Sequence, residues 1–154
     1  MGTVKEKSTI SKKSTAREKN IETIRLFVSL IEQRDIPAFL NLFTNDGVQF
    51  NYFQSGMIPA EIRGKDELRK FWAPIPEKFS EMNFVVEAIY PMLDPGGAVV
   101  KYHGHTTLKA SGKHYNNEYL ALFFFDEDGK IKEYHEYSNP VVTARSFDMV
   151  DKIV

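Results

Sequence analysis

The chain contains no cysteine, which removes three kinds of chemistry at once. Without a thiol, the protein forms no disulfide, binds no metal through thiolate and uses no cysteine nucleophile. It also lacks serine-hydrolase, phosphate-loop and dinucleotide-binding signatures, because GGAVV and GKHYNN do not have the required glycine spacing.

Long apolar runs are also missing. No run approaches the ~20 residues that span a bilayer, and the N-terminal residues lack the apolar centre of a signal peptide. We therefore expect a cytoplasmic protein with no membrane partner. The chain has 154 residues, of which 42% are hydrophobic and 27% charged, and these values are typical of one globular domain.

Positive charge is concentrated at one end of the chain. Residues 1–19 contain six Lys or Arg against two Glu, a net charge of +4, and the remaining residues carry −5. Residues 1–18 also lack apolar periodicity, which predicts a disordered basic arm before a single domain over residues 19–154. The domain has no basic stripe with interleaved aromatic residues, so we expect no nucleic-acid partner.

The first half of the domain shows helical patterns. From Asn20, a plausible N-cap, apolar residues such as Ile24, Phe27 and Ile31 recur every three or four positions, which predicts an amphipathic helix ending near Asp35. Residues 37–43 and 64–72 are predicted as two further helices, and residues 48–53 as a strand between them. A short terminal helix is predicted over residues 143–150.

From residue 83 onward the pattern is typical of strands. The runs FVVEAIYPM, AVVKYHGHTTLKA, HYNNEYLALFFF and IKEYHEYS are separated by the turns DPGG, SGK and DEDGK. Tight glycine-bearing turns between long runs indicate consecutive antiparallel strands. Helices followed by an antiparallel sheet predict an α+β fold.

The last of these strands contains the sequence KEYHEYS, residues 132–138. Neighbouring residues of a strand point to opposite faces, so His135 and Glu136 cannot both enter one cavity. Glu133 and Glu136 are likewise on opposite faces. A carboxyl group in an aromatic pocket has a raised pKa that suits proton transfer; the alternative is a solvated Glu on an exposed face.

Two histidines on an earlier strand form a second candidate site. His103 and His105 are two residues apart, so their rings share one face. Such a pair holds a metal when a third ligand joins it, and His114, His135 or Glu136 would be that ligand. There are two alternatives to a metal site: the histidines form hydrogen bonds within a polar patch, or they contact a bound ligand directly. We expect no metal.

The strand before the last is unusually apolar, with Phe123, Phe124 and Phe125 following two leucines. Such a strand is expected to be buried on both faces, by the core or a cavity on one side and a subunit interface on the other. Asn116, Asn117 and Glu118 precede it directly, and packing alone does not explain them, because buried polar groups need partners.

Several segments together resemble one family. They are REKNIETIRLF (17–27), IRGKDEL (62–68), DP (94–95), GH (104–105), YNNEYL (115–120) and DGKIKEYHEYSN (128–139). In order and spacing they are similar to the NTF2-like superfamily, specifically its SnoaL-like branch of polyketide cyclases, and within that branch to the phenazine-biosynthesis A/B proteins. The resemblance covers residues 17–148.

The resemblance implies a cone in which N-terminal helices pack into the concave face of a curved sheet and enclose a pocket. It also implies a homodimer formed by sheet packing, and cofactor-independent acid–base chemistry on small hydrophobic molecules. The Glu that works as proton donor or acceptor falls on Glu136, which would point inward with Tyr134 and Ser138. His135 and Tyr137 would then face outward, toward the partner subunit.

The sequence departs from the best-known chemistries of this superfamily at four positions. Phe71 stands where the phenazine-type proteins carry a pocket His. His103 and His105 stand approximately where the epoxide hydrolases carry an Arg and an Asp. Asn51 stands about where ketosteroid-isomerase-like members carry the Asp that acts as general base, and an amide cannot accept the proton.

The resemblance and the pattern together predict a cofactor-independent isomerase, cyclase or dehydratase for an aromatic or polycyclic metabolite. Glu136 would transfer the proton, with His105 as its partner. The residues expected to contact the substrate are His103, Gln49, Asn51, Asn117, Tyr119, Tyr134, Phe71 and Trp72, with part of the Phe123–Phe125 run as a further apolar wall. The alternative is a non-catalytic ligand-binding or dimeric assembly module of the same fold.

Overall fold

The computed structural model describes the backbone of residues 4–154 and the side chains of residues 12, 13 and 15–154. Residues 1–3 and the side chains of Lys5 and Lys7, which belong to the predicted basic arm, lie outside the described residues. The elements, in chain order, are α1 (Val4–Glu32), α2 (Ile36–Leu40), β1 (Phe43–Tyr52), β2 (Glu61–Arg63), α3 (Lys65–Trp72), α4 (Ile75–Lys78), β3 (Phe79–Pro91), β4 (Gly97–Leu108), β5 (Glu118–Phe125), β6 (Ile131–Ser138), α5 (Pro140–Ser146) and a 3₁₀ helix (Val150–Lys152).

The first helix is longer than its apolar pattern predicts. It begins at Val4 and not at Asn20, so the predicted N-cap is wrong. The amide of Asn20 instead donates a 2.8 Å hydrogen bond to the carbonyl of Pro95, and Arg17 donates to the carbonyl of Leu93 at 2.8 Å. Both bonds anchor α1 to the β3–β4 turn. The division of the chain at residue 18 stays a prediction, and within the described residues no helix is long and apolar enough to cross a membrane.

The short helices lie close to their predicted places. Asp35 caps α2, because its carboxylate accepts a 3.0 Å hydrogen bond from the amide of Ala38. α3 matches the predicted helix over residues 64–72. β1 begins five residues earlier than predicted, and the short strand β2 was not predicted at all. The terminal helix begins at Pro140, capped by Asn139, rather than at residue 143.

Six strands form one sheet in the order β2-β1-β6-β5-β4-β3. The four strands β3 to β6 pair consecutively and antiparallel, which confirms the predicted meander. β1 pairs with β6 in parallel, so the first and the last strand of the chain are neighbours in the sheet. Gly112 and Gly129 adopt left-handed φ values of 72° and 77° in two of the turns, a conformation that favours glycine.

The sheet is curved, and its concave face receives the helices. β3 contains two register shifts against β4, and such bulges bend a strand. Phe27 of α1 lies at the centre of the core, where its ring packs 5.1 Å from that of Phe123 and 4.9 Å from that of Tyr134. Helices on the concave face of one antiparallel-rich sheet confirm the α+β class and the predicted cone.

Candidate functional site

A cavity lies between the concave face of the sheet and the helices. Its volume is about 220 Å³, which suits a molecule of one or two rings, because an apolar cavity of ~150 Å³ already accepts benzene. Most of its wall is apolar. These wall residues include Val28, Ile31, Phe71, Trp72, Met82, Phe84, Phe147 and Met149.

Glu136 points into this cavity, as predicted. Its neighbours in register are Asn51 on β1 and Ala121 on β5, and paired residues of adjacent strands point to the same face. His135 lies on the opposite face, where Nδ1 is 2.9 Å from the hydroxyl of Tyr52. Alternation along β6 therefore separates the two residues as expected.

Burial determines the ionisation of Glu136. Removal of the carboxyl group from bulk water raises its pKa from an ordinary value of 4.5 to about 7, and a hydrogen bond from the hydroxyl of Tyr134 opposes this shift. That hydroxyl lies 2.7 Å from Oε2 of Glu136 and 2.6 Å from the hydroxyl of Tyr102. The carboxyl group lies deep in the protein, yet it keeps some accessible surface because it faces the cavity.

Four tyrosine side chains surround the carboxyl group: Tyr102, Tyr115, Tyr119 and Tyr134. Burial raises the pKa of each phenol, and the negative charge of Glu136 raises it further. The rings of Tyr102 and Tyr119 stack with centroids 4.6 Å apart. At neutral pH these phenols therefore stay protonated, so that they act as hydrogen-bond donors rather than as bases.

The amides predicted to orient a substrate form an ordered chain on β1. The indole Nε1 of Trp72 donates to Oε1 of Gln49 at 2.8 Å, and Nε2 of Gln49 donates to Oδ1 of Asn51 at 2.9 Å. Nδ2 of Asn51 donates to the carbonyl of Pro59 at 2.8 Å. Both amides line the cavity and are almost fully buried, which agrees with their predicted positions.

The predicted partnership between Glu136 and the histidines of β4 is not observed. His103 and His105 lie on the outer face of the sheet, where Nδ1 of His103 is 2.7 Å from Oε1 of Glu87. The two rings meet edge to face with centroids 5.0 Å apart, and neither lines the cavity. Tyr102, the neighbour of His103, takes the inward position instead. The assignment of His103 and His105 as contacts for a ligand in the cavity is therefore wrong.

Among the described residues, no third ligand accompanies His103 and His105 for a metal ion. Nδ1 of His114 lies at hydrogen-bond distance, 3.2 Å, from Oγ1 of Thr107. His135 lies among the aromatic side chains of β1 and β6. Within the part of the chain that the structure describes, no three His, Cys, Asp or Glu side chains are placed to hold an ion together.

Asn117 is fully buried but does not line the cavity, contrary to its predicted contact with a substrate. Its Oδ1 accepts hydrogen bonds from the amides of Glu118 at 2.9 Å and Asn139 at 3.0 Å. Its Nδ2 donates to the carbonyl of Asn139 at 3.0 Å. This side chain therefore connects the start of β5 to the end of β6, which is a structural role. Tyr134, also predicted to contact a substrate, does not line the cavity and instead donates a hydrogen bond to Glu136.

Two further cavity residues of β4, Tyr102 and Thr106, were not among the predicted ligand contacts. Alternation places Tyr102, Gly104 and Thr106 on the face opposite to His103 and His105, and the packed structure shows that this is the inward face. A Cβ atom on Gly104 would lie 3.0 Å from the ring of Phe84, so glycine lets this ring approach β4 and form part of the cavity wall.

The outer face of β1 and β6 carries an aromatic surface, formed by Phe50, Tyr52, Phe53, His135 and Tyr137. The rings of Tyr52 and Tyr137 stack with centroids 4.5 Å apart, and those of Phe50 and His135 stack at 4.6 Å. The Phe53 side chain is 72% exposed. This outer aromatic surface lies on the opposite side of the sheet from the cavity.

Comparisons with known proteins agree with this arrangement. Residues 24–134 match the model of the SnoaL-like domain family. Uncharacterized protein YesE of Bacillus subtilis strain 168 is 24% identical over 131 residues, which cover 84% of this chain and 88% of that protein. A putative isomerase from Bacillus subtilis superposes with a TM-score of 0.81 at 21% identity, covering 87% of this chain and 96% of that one. The phenazine biosynthesis-related protein phzb2 from Pseudomonas aeruginosa superposes with a TM-score of 0.77 at 25% identity, covering 91% of this chain and 92% of that one.

Proposed function

The chain belongs to the SnoaL-like domain family, and from its cavity we propose that it binds a small hydrophobic molecule and transfers a proton on it through Glu136. The observation that carries this proposal is a single carboxyl group, facing a mainly apolar cavity, whose pKa of about 7 is set by burial. A group with this pKa accepts and returns protons at neutral pH. A structural neighbour described as a putative isomerase supports the same class of chemistry.

The proposed reaction is an isomerisation or a related acid–base step. The carboxylate of Glu136 accepts a proton from one atom of the ligand and returns it to another, so the composition of the ligand does not change. No cofactor takes part in this proposal. One- or two-ring compounds fit the cavity volume, and the aromatic side chains of its wall suit flat, apolar ligands.

Exchange of carbon-bound hydrogen for deuterium tests the proposal without knowledge of the product. A panel of one- and two-ring ketones is incubated with the protein in D₂O, and deuterium at the carbon next to the carbonyl is measured by NMR. We expect the wild-type protein to accelerate exchange for some members of the panel and Glu136→Gln to abolish this acceleration.

The matched control for this experiment is Glu133→Gln. It removes a carboxyl group from the same strand but from the outer face, where Glu133 pairs with His135 at 2.8 Å. We expect this variant to behave as the wild type. Equal acceleration by the wild type and Glu136→Gln would remove Glu136 from the mechanism.

A non-catalytic binding protein is the second candidate, and one observation favours it. Within the described residues, no histidine lines the cavity, so Glu136 has no imidazole partner there. A protein of this kind retains members of the ketone panel, as measured by native mass spectrometry, but accelerates exchange of none. Retention and exchange measured on the same compounds therefore separate the two candidates.

We also propose a cytoplasmic homodimer that forms through the outer aromatic surface. Aromatic residues are enriched in protein interfaces, and Phe53 and Leu120 expose 72% and 46% of their surface on or beside this face. The dimer keeps the cavity of each subunit free, because the cavity lies on the opposite side of the sheet. We expect no nucleic acid or membrane as a partner.

A further inference from the structure

The two cavity amides are held in one orientation by the groups at the ends of their hydrogen-bond chain. The indole of Trp72 can only donate, and the carbonyl of Pro59 can only accept. Gln49 and Asn51 lie between them, each bonded at 2.8 to 2.9 Å. Rotating either amide by 180° would place two acceptors or two donors face to face. The chain therefore runs in one direction, from Trp72 to Pro59.

This direction decides what the amides offer to the cavity. Each side-chain oxygen accepts from the preceding donor, and one N–H of each amide donates to the next acceptor. An amide has two N–H groups, so one remains on Gln49 and one on Asn51. For these N–H groups the described residues provide no acceptor. Both side chains line the cavity, and their exposed fractions are only 1% and 4%.

The position of the amides relates them to the proton-transfer group. Asn51 is paired in register with Glu136 across β1 and β6, and Gln49 with Tyr134. The remainder of the cavity wall is largely apolar. A ligand that fills this cavity and contacts Glu136 therefore has Asn51 beside it.

We propose that Gln49 and Asn51 form a subsite that only donates hydrogen bonds, and that it selects ring compounds carrying an acceptor oxygen, such as a ketone or a carboxylate. The inference rests on the proposed function, because it names the class of ligand that the same cavity binds. Buried donors select strongly, since a ligand without an acceptor leaves them unpaired. The subsite places the acceptor oxygen next to Glu136, so the atoms near the carbonyl are the ones that exchange protons.

A pair of probe compounds isolates the contribution of the oxygen. 1-Indanone and indane have the same fused rings and differ at one position, where the ketone has C=O and the hydrocarbon CH₂. Their dissociation constants are measured by ligand-observed NMR. Quenching of Trp72, the one tryptophan of the chain and a wall residue, reports occupation of the cavity. The quantity compared between variants is the ratio of the two constants, which cancels the difference in hydration between the two compounds.

We expect Asn51→Leu to reduce the preference for the ketone about tenfold, the typical worth of one hydrogen bond, and to leave indane binding close to that of the wild type. Gln49→Met is the second variant and has the same expected direction. Gln54→Met is the matched control, because Gln54 is a buried amide outside the cavity that donates to Ser138. An unchanged ratio in both Asn51→Leu and Gln49→Met would overturn the inference.

A vibrational measurement tests the same subsite without any substitution. Hydrogen bonding lowers the C=O stretching frequency of 1-indanone, so infrared difference spectra of the wild-type complex report whether a cavity donor contacts the carbonyl oxygen. We expect a frequency at or below the value in water. A frequency equal to that in cyclohexane would overturn the inference, and this result does not depend on whether the cavity variants fold. Wild-type protein that binds neither compound would also overturn it.

The two proposals fail separately. The ketone preference and the C=O frequency report binding and do not need proton transfer, so Glu136→Gln is expected to retain both. Normal deuterium exchange in Glu136→Gln, together with a retained preference for 1-indanone, would reject the proton-transfer role and support the donor subsite. Loss of exchange in Glu136→Gln, together with an unchanged ratio of dissociation constants in the amide variants, would support the proton-transfer role and reject the donor subsite.

Discussion

Tyr134 and Glu136 lie two residues apart on the same strand, and the hydroxyl of Tyr134 donates a 2.7 Å hydrogen bond to the Glu136 carboxylate. Within the described residues, no cation is paired with this carboxylate. The hydrogen bond is therefore the main interaction that favours its charged form, against the burial that raises its pKa to about 7. The balance between these two effects determines the pH at which Glu136 can accept a proton.

The first prediction concerns this balance. Tyr134→Phe removes the donor and keeps the buried ring, so the ionised carboxylate loses its stabilisation and the pKa of Glu136 rises above about 7. NMR titration of a ¹³C-labelled Glu136 carboxyl group measures the midpoint in both proteins. A midpoint in the variant at or below that of the wild type would contradict the assignment of this hydrogen bond.

The second prediction concerns stability as a function of pH. Between pH 4.5 and about 7 folded Glu136 keeps a proton that the unfolded chain has lost, so the free energy of unfolding falls as the pH rises through this range. Glu136→Gln removes this loss. The free energy of unfolding of the variant, measured relative to that of the wild type, should therefore be higher at pH 8 than at pH 4 by up to about 3 kcal/mol.

Urea unfolding at both pH values measures this gain, and Glu133→Gln is the control from the outer face of the same strand. A difference between Glu136→Gln and the wild type that is equal at both pH values would show that the pKa of Glu136 is the same in the folded and unfolded states.

The third prediction concerns Trp72. Trp72→Phe leaves Oε1 of the buried Gln49 without its donor, which should lower the free energy of unfolding by about 1–3 kcal/mol. The control is Phe71→Leu, at the neighbouring position of α3, where the side chain is half-buried and makes no hydrogen bond. Chemical denaturation compares the two variants, and an unchanged stability in Trp72→Phe would indicate that the Gln49 amide finds another partner.

The fourth prediction concerns the histidines of β4. Because His103 and His105 lie on the outer face, their combined replacement by alanine should leave the affinity of the cavity for 1-indanone unchanged. Quenching of Trp72 fluorescence measures this affinity, with Asn51→Leu as the variant that lowers it. A loss of affinity in the histidine variant would mean that a bound ligand reaches beyond the cavity.

The fifth prediction concerns assembly. Tyr137→Glu places a charge within the outer aromatic surface and should convert the proposed dimer to monomers in sedimentation equilibrium. Tyr90→Glu is the control, since Tyr90 is 60% exposed near the end of the edge strand β3. Wild-type protein that sediments as a monomer would reject the dimer itself.

Local pattern was sufficient for much of the fold. The meander of β3 to β6 follows from long apolar runs and glycine-bearing turns, and α3 follows from its helical spacing. The start of α1 could not be predicted, because the polar segment before Asn20 has no apolar face. The parallel pairing of β1 with β6 joins residues more than 80 positions apart, and no local pattern contains that information.

The sequence by itself determined that Glu136 and His135 point to opposite faces, because strand geometry allows nothing else, and the family resemblance selected Glu136 as the inward residue. The tertiary structure decided which face of β4 enters the cavity. Both faces of that strand mix polar and apolar residues, so alternation separated His103 from Tyr102 without showing which one is buried. Only the packed structure combines the burial that raises the pKa of Glu136 with the strand pairing that brings Asn51 beside it.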